Sequence, residues 1–244
     1  MKTFALPFLV AGTFFVFPAG AEEGKEPFYQ DEFSGRTVNS MEMASALVVN
    51  RFYNAPRYGT RAPSFAAEDI ETGETVLLKE LYAEKPVVLL FSSWGCDVMR
   101  DSSADLLAVY ERFRADFSFV MIYIREAHSL DGHHSRLGRV KDPKSAAERK
   151  SAAQGCRKAL KLPFRILTDR IDDRIATRWG AWPIRLFVVN TEGTVVYSGK
   201  PGPWGYSPGN GFKADLADEL KKHADRFSQE SLEDFLESCL RGKN

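Results

Sequence analysis

The sequence predicts an α/β fold, a central mixed sheet flanked by helices, and three observations carry that prediction. First, Val87-Val88-Leu89-Leu90-Phe91 is an unbroken apolar run of β-favouring residues between Pro86 and Ser92-Ser93, the pattern of a strand buried on both faces. Second, the apolar residues Leu106, Leu107, Val109, Tyr110 and Phe113 recur at helical spacing, and another strand-like run, Phe117 to Ile124, follows them. Strand, helix and strand over this length make a βαβ unit with parallel strands and a right-handed crossover. Third, Thr72-Gly73 and Asn190-Thr191-Glu192-Gly193 are turn signals between extended runs, so hairpins add antiparallel strands and the sheet is mixed.

In chain order, Met1-Lys2, the apolar run Phe4 to Phe17 and the small-residue ending at Ala21 read as a secretory signal peptide. Residues 1–21 are therefore expected to be removed and the protein to be exported, to the periplasm or the extracellular space. Residues 22–58 form an N-terminal extension, with a helical pattern in Met41, Ala44, Leu47 and Val48. The main domain is expected over 59–227. It opens with Ala62-Pro63-Ser64-Phe65 and a hairpin around Thr72-Gly73, passes through a helical turn at Lys79 to Tyr82, and enters the Pro86 strand. After Ile124 come a polar loop over 129–143, a helix from about Lys144 to Leu160, and a short strand, Phe164 to Leu167. A helix from Asp172 to Trp179 leads to the hairpin strands Ile184 to Asn190 and Thr194 to Ser198. Gly199 to Gly211 holds five glycines and three prolines and reads as an irregular loop. A closing helix, Phe212 to Phe227, precedes a C-terminal helical extension over 228–244, in which Ser231 caps an amphipathic helix from Leu232 to Leu240.

Composition narrows the function. The 33 basic and 33 acidic residues cancel, and no basic stripe is interleaved with aromatics, so nucleic acid is not the expected partner. No C-x-x-C or H-x-x-x-H spacing marks a metal site, and His133-His134 alone is a common surface pair. In an exported chain the three cysteines, Cys96, Cys156 and Cys239, leave either one disulfide and one free thiol or three free thiols. A Cys156 to Cys239 disulfide stays open, and Cys156 is otherwise read as a bystander.

Cys96 lies where the Pro86 strand gives way to a helix. Unpaired backbone N–H groups and the helix dipole favour an anion there, which predicts a lowered thiol pKa and a reactive thiolate. Arg100 supports a thiolate and Asp97 opposes it. Ligand crevices of parallel sheets lie beyond the carboxyl ends of the strands. Cys96 and the pair Glu126 and His128, which follow neighbouring strands, are therefore expected on one rim, a nucleophile beside proton-transfer groups.

The element order resembles the thioredoxin-like fold, and Ala62-Pro63-Ser64-Phe65 with Phe91-Ser92-Ser93-Trp94-Gly95-Cys96 resembles the redoxin group within it. A narrower resemblance covers roughly residues 60–225. Tyr123-Ile124-Arg125-Glu126-Ala127-His128 with Asp131-Gly132, Gly180-Ala181 with Arg185-Leu186, and Val196 to Tyr206 are similar to segments of the iodothyronine deiodinases. That resemblance implies that Cys96 occupies the selenocysteine position and takes iodine from an aromatic ring. It implies that Glu126 and His128 supply the replacing proton, with Tyr123 in the same network, and that Arg185, with Ser93 and Trp94, contacts substrate. No bound cofactor is implied. An external thiol or thioredoxin-like donor supplies electrons, the substrate is a small molecule such as a halogenated aromatic, and a homodimer is compatible with the sequence.

The departures are specific. Sulfur replaces selenium, Met99 stands where a redoxin's resolving cysteine would be, and Trp94 replaces the family's cysteine two residues before the nucleophile. A substrate-clamping histidine of the family is replaced near Pro143. Two other readings stand beside the deiodinase-like one. One is a one-cysteine peroxide or disulfide reductase that cycles through a sulfenic acid. The other is a thioredoxin-like binding domain without turnover.

Overall fold

The computed structural model describes residues 55–132, 135–212, 221 and 223–242. The expected signal peptide, the helix near Met41 to Val48 and most of the closing helix over 212–227 lie outside these residues. The described end of that last segment contains a 3-10 turn, Ala224–Arg226.

One seven-stranded mixed sheet organises the domain. Its strands are β1 (Ala66–Asp69), β2 (Thr75–Leu77), β3 (Val87–Ser92), β4 (Ser118–Tyr123), β5 (Arg165–Thr168), β6 (Arg185–Val189) and β7 (Val195–Ser198), in the spatial order β2-β1-β5-β4-β3-β6-β7. β3 pairs parallel with β4 and antiparallel with β6. The Thr72-Gly73 hairpin forms one edge as β2 and β1, and the Asn190 to Gly193 hairpin forms the other as β6 and β7. The chain is thus a thioredoxin-like α/β protein, as its element order predicts. Residues 59–62 run beside β7, with Gly59 N–H donating to Val195 O at 2.8 Å and Ala62 N–H to Gly193 O at 2.9 Å. The chain then passes to β1 near the opposite edge.

Every residue of β3 is buried, because each face of the sheet is covered. Alternation along the strand divides the core in two. Val88 and Leu90 face a cluster with Met99, Leu106, Val109, Phe113, Met121 and Tyr123. That side is covered by α2 (Asp97–Asp101), α3 (Ser103–Phe113), α4 (Ala146–Leu160) and α6 (Leu232–Arg241). Val87, Leu89 and Phe91 face a second cluster, covered by α1 (Leu78–Leu81) and α5 (Arg174–Arg178). There Trp179 sits with its ring centroid 5.4 Å from Phe91 and 4.9 Å from Phe187, and Phe91 meets Phe187 edge-on at 5.8 Å.

The helix expected after Cys96 is broken in two. Ser102 interrupts it, its hydroxyl donating back to Val98 O at 2.6 Å, an alternative partner for the backbone that favours a bend. The final helix keeps its expected cap: Ser231 Oγ accepts from Asp234 N–H at 3.1 Å.

Phe91→Ala should lower unfolding stability by about 3–5 kcal/mol, since it empties the centre of the aromatic cluster. Ser231→Ala should cost about 1 kcal/mol, the loss of one helix cap. Urea unfolding followed by circular dichroism, compared at constant m-value, checks both.

Candidate active site

β3 and β4 run parallel with Ser92 opposite Tyr123, so the segments that follow them leave the sheet side by side. Four contacts interlock them. Trp94 N–H donates to Tyr123 Oη at 3.2 Å. Gly95 N–H donates to Glu126 Oε2 at 2.6 Å, and Ala127 N–H donates to Ser93 Oγ at 3.0 Å. His128 Nε2 lies 3.7 Å from Asp97 Oδ1. The Tyr123 hydroxyl in turn donates to Glu126 Oε1. Gly95 is required at this crossing, because a Cβ there would lie 2.0 Å from His128 O and 2.7 Å from Glu126 Oε2. The segments that carry Cys96, Glu126 and His128, expected on one rim, therefore leave the sheet side by side, with Tyr123 bonded to Glu126.

Cys96 is the N-cap of α2, and its N–H donates to Ser93 O at 3.2 Å. It is only 1% exposed. Burial pushes its thiol up to about 12; a backbone hydrogen bond at Met99, the Ser92 hydroxyl and Arg100 favour the thiolate, Asp97 opposes it, and burial outweighs them. The lowered pKa expected from the strand-to-helix junction is therefore not found in this state. Five helical residues provide a small dipole effect, and desolvation of the sulfur is larger. Arg100 is engaged elsewhere, its guanidinium donating to Trp94 O at 2.7 Å and Leu137 O at 3.1 Å.

Glu126 is 5% exposed. Burial raises its carboxyl to about 7, against the opposing hydrogen bonds from Tyr123 and Gly95. Burial likewise holds Tyr123 well above the ordinary phenol value, next to the Glu126 charge, so the phenol keeps its proton. His128 is half-buried, and its imidazole keeps the Asp97 carboxyl below the ordinary range.

Three residues expected at the substrate, Arg185, Ser93 and Trp94, have side chains engaged within the fold. Arg185 stands opposite Phe91 across the β3/β6 pair, and its guanidinium lies 5.1 Å from the Phe187 centroid, so it points to the face of the sheet away from Cys96. It is 1% exposed and donates to Gly199 O at 2.8 Å and Gly180 O at 3.3 Å, tying the loops at the ends of β6 and β7. Burial lowers its pKa to about 9, which still leaves the guanidinium charged at neutral pH. Ser93 is fully buried, its hydroxyl committed to Ala127. Trp94 does flank Cys96, but its ring packs on the backbone of α4: a Cβ at Gly155 would be 2.6 Å from Trp94 Cζ3.

That packing brings in a residue the sequence reading sets aside. Cys156, next to Gly155, is buried in the same cluster as Cys96 and Tyr123. Burial raises its thiol, and the charges of Glu126 and Cys96 raise it further. Cys96, Cys156 and Cys239 are all free thiols. Nothing in the spacing of Cys156 along the sequence reveals its burial in the cluster that holds Cys96. Asp169 and Arg149 are also buried at this rim. Asp169 accepts from Ile175 N–H at 3.1 Å and Ala176 N–H at 2.8 Å at the start of α5, and Arg149 is 2.9 Å from Asp173.

The sequence model described as "Iodothyronine deiodinase" matches residues 20–214. The chain belongs to the iodothyronine deiodinase family. The family match reaches back across residues 22–58 as well as the domain. The chain is 27% identical to a type I iodothyronine deiodinase of Xenopus laevis over 152 residues, 62% of this chain and 59% of that one. It is 27% identical to the type II enzyme of Homo sapiens, covering 61% of this chain and 57% of that one. A thyroxine 5-deiodinase of Gallus gallus is 29% identical, covering 64% and 60%. The chain thus spans less than two thirds of the length of these deiodinases. Among solved structures, the thioredoxin domain of a thiol-disulfide oxidoreductase from Bacteroides vulgatus is 18% identical, with a TM-score of 0.44 over 59% of this chain and 89% of that one. An uncharacterized conserved protein from Geobacillus kaustophilus is 16% identical, with a TM-score of 0.47 over 71% and 86%. Within the deiodinase family, this member combines a buried cysteine with a buried, near-neutral carboxyl.

Two outcomes follow. Iodoacetamide should modify Cys96 at pH 7 at least about tenfold more slowly than a free cysteine, with a rate still rising above pH 10; a plateau near pH 7, read by peptide mass spectrometry, would contradict the buried thiol. Glu126 binds its proton more tightly in the folded chain, about 7 against an ordinary 4.5. The stability it adds is complete below pH 4.5 and is lost as pH rises through 7, on the order of 3 kcal/mol. Glu126→Gln should flatten that part of the stability profile in urea unfolding between pH 4 and 8.

Proposed function

We propose that this deiodinase-family thioredoxin-like oxidoreductase removes iodine, or a similarly soft halogen, from an aromatic ring. Cys96 is the nucleophile and Glu126 the proton-transfer group. The observation that carries the reading is the Glu126 carboxyl: buried, titrating near neutrality, and held by Gly95 N–H one residue from Cys96. General acid–base groups work best when their pKa lies near the working pH.

The raised thiol pKa fits a balanced reaction. The S–H bond of Cys96 and the ring C–I bond break, and S–I and ring C–H bonds form, so the thiol itself carries the proton that the ring carbon needs. Glu126, as carboxylate, accepts that proton and passes it on. Tyr123 and Gly95 fix the carboxylate, and His128 faces Asp97, the residue after Cys96. The cysteine sulfenyl iodide is then reduced by two equivalents of an external thiol: the first gives a mixed disulfide and hydrogen iodide, and the second frees Cys96 as the thiol disulfide departs. Met99 cannot perform this exchange, so a second thiol has to come from outside the motif. The sulfur is buried, so substrate entry requires the side chains over it to move aside. An N-terminal leader would place this chemistry outside the cytoplasm.

Iodide release from a di-iodinated phenol with dithiothreitol, read by an iodide electrode, tests the proposal. Cys96→Ser should abolish turnover. Glu126→Gln should lower kcat/KM by about 10²–10⁴ and remove a rise in rate centred near pH 7, and His128→Ala should lower it at least about tenfold. Peroxide consumption that depends on Cys96, with no iodide released, would replace this reading with the peroxide reductase.

A further inference from the structure

On the face of the sheet away from Cys96, between the β1/β2 hairpin and α5, lies an open groove of about 580 Å³. Its cations are Arg61, Lys79, Arg170, Arg174 and Arg178, and no aspartate or glutamate lines it. Five to none is a local excess in a chain with 33 basic and 33 acidic residues. Two of these cations, Arg174 and Arg178, stand four residues apart on α5, and Arg170 lies ahead of the turn that leads into it. Like charges so placed on a helix repel unless an anion lies among them. Asp172, outside the lining, partly serves Arg170 at 3.1 Å and Arg174 at 3.7 Å. Arg178 has no carboxylate within ion-pair distance among the described residues, and Lys79 has none either. Between the cations the wall is apolar, with Phe65, Leu77 and Tyr82 each half-buried and facing the groove.

We propose that this groove is a second binding site, separate from the Cys96 chemistry, for a small amphipathic organic anion. The carboxylate, sulfate or phosphate of such a ligand would pair with Arg174, Arg178 and Lys79, and its aromatic or aliphatic body would lie on Phe65, Leu77 and Tyr82. The volume matches a small ligand, since such pockets span about 300–1,000 Å³. Arginine forks suit bidentate pairing with planar or tetrahedral oxyanions, and the apolar wall distinguishes an amphipathic anion from an inorganic one.

Isothermal titration of the full chain with 2-naphthalenesulfonate tests this. One saturable site per chain is expected, weakened at least tenfold in Arg174→Glu/Arg178→Glu and at least threefold in Lys79→Ala. Octanoate should displace the probe, and inorganic phosphate at the same concentration should not. If the double variant fails to fold, Lys79→Ala and a salt titration from 0.05 to 0.5 M, which should weaken binding, decide alone. Absence of saturable binding, binding unchanged by the variants or by salt, or equal displacement by phosphate would overturn the proposal.

Discussion

The site depends on one buried carboxylate. Glu126 accepts from a backbone N–H on the Cys96 segment and from a phenol on its own segment, and so joins the ends of two parallel strands into one rigid corner. A buried carboxyl without such partners would cost several kcal/mol. With them, the carboxyl is held in place, and desolvation still brings its pKa to about 7. One interaction therefore sets both the geometry of the corner and the proton affinity within it. Gly95 is the only residue type that fits the crossing, since any side chain there would collide with the carbonyl of His128 or displace Glu126 itself.

Much of the fold is legible in the sequence because its signals are local and periodic. The all-apolar β3 run, the helical spacing of Leu106 to Phe113, the two glycine turns and the Ser231 cap each appear where expected, within one or two residues. The corner of Cys96, Tyr123, Glu126 and His128 is legible too, because parallel neighbours bring the residues after their carboxyl ends together. What a linear reading misses is which face a residue points to and how deeply it is buried. Arg185 matches a motif, yet alternation along β6 sends it to the opposite face, where backbone carbonyls satisfy it. Cys96 sits at a strand-to-helix junction, yet helices packed over it desolvate the sulfur beyond what a five-residue helix can offset. Cys156 joins the cluster around Cys96 through the packing of α4, next to the glycine on which the Trp94 ring lies.

In the dehalogenation proposed above, the buried, protonated thiol changes what the chemistry needs. An exposed thiolate would attack without help and would need a separate acid for the ring carbon. A protonated thiol needs a base first, and the proton it gives up is the one the product requires. A carboxyl with a pKa near 7 can serve in both directions at neutral pH, whereas an ordinary carboxyl near 4.5 would accept poorly. Burial, which taken alone would disable the cysteine, is thus compatible with the proposed turnover once the carboxyl is counted with it.

The two faces of the sheet have different physical characters. The Cys96 face combines the thiols, the phenol and the carboxyl with aliphatic packing from four helices. The opposite face stacks Phe91, Phe187 and Trp179 beneath Arg185, a close-packed aromatic layer that resists local rearrangement. β3 belongs to both, through alternate side chains. The aromatic layer holds β3 from behind, and Cys96 follows β3 directly. The position of Cys96 beside the Gly95–Glu126 contact therefore rests on a core that lies on the far side of the sheet from the sulfur.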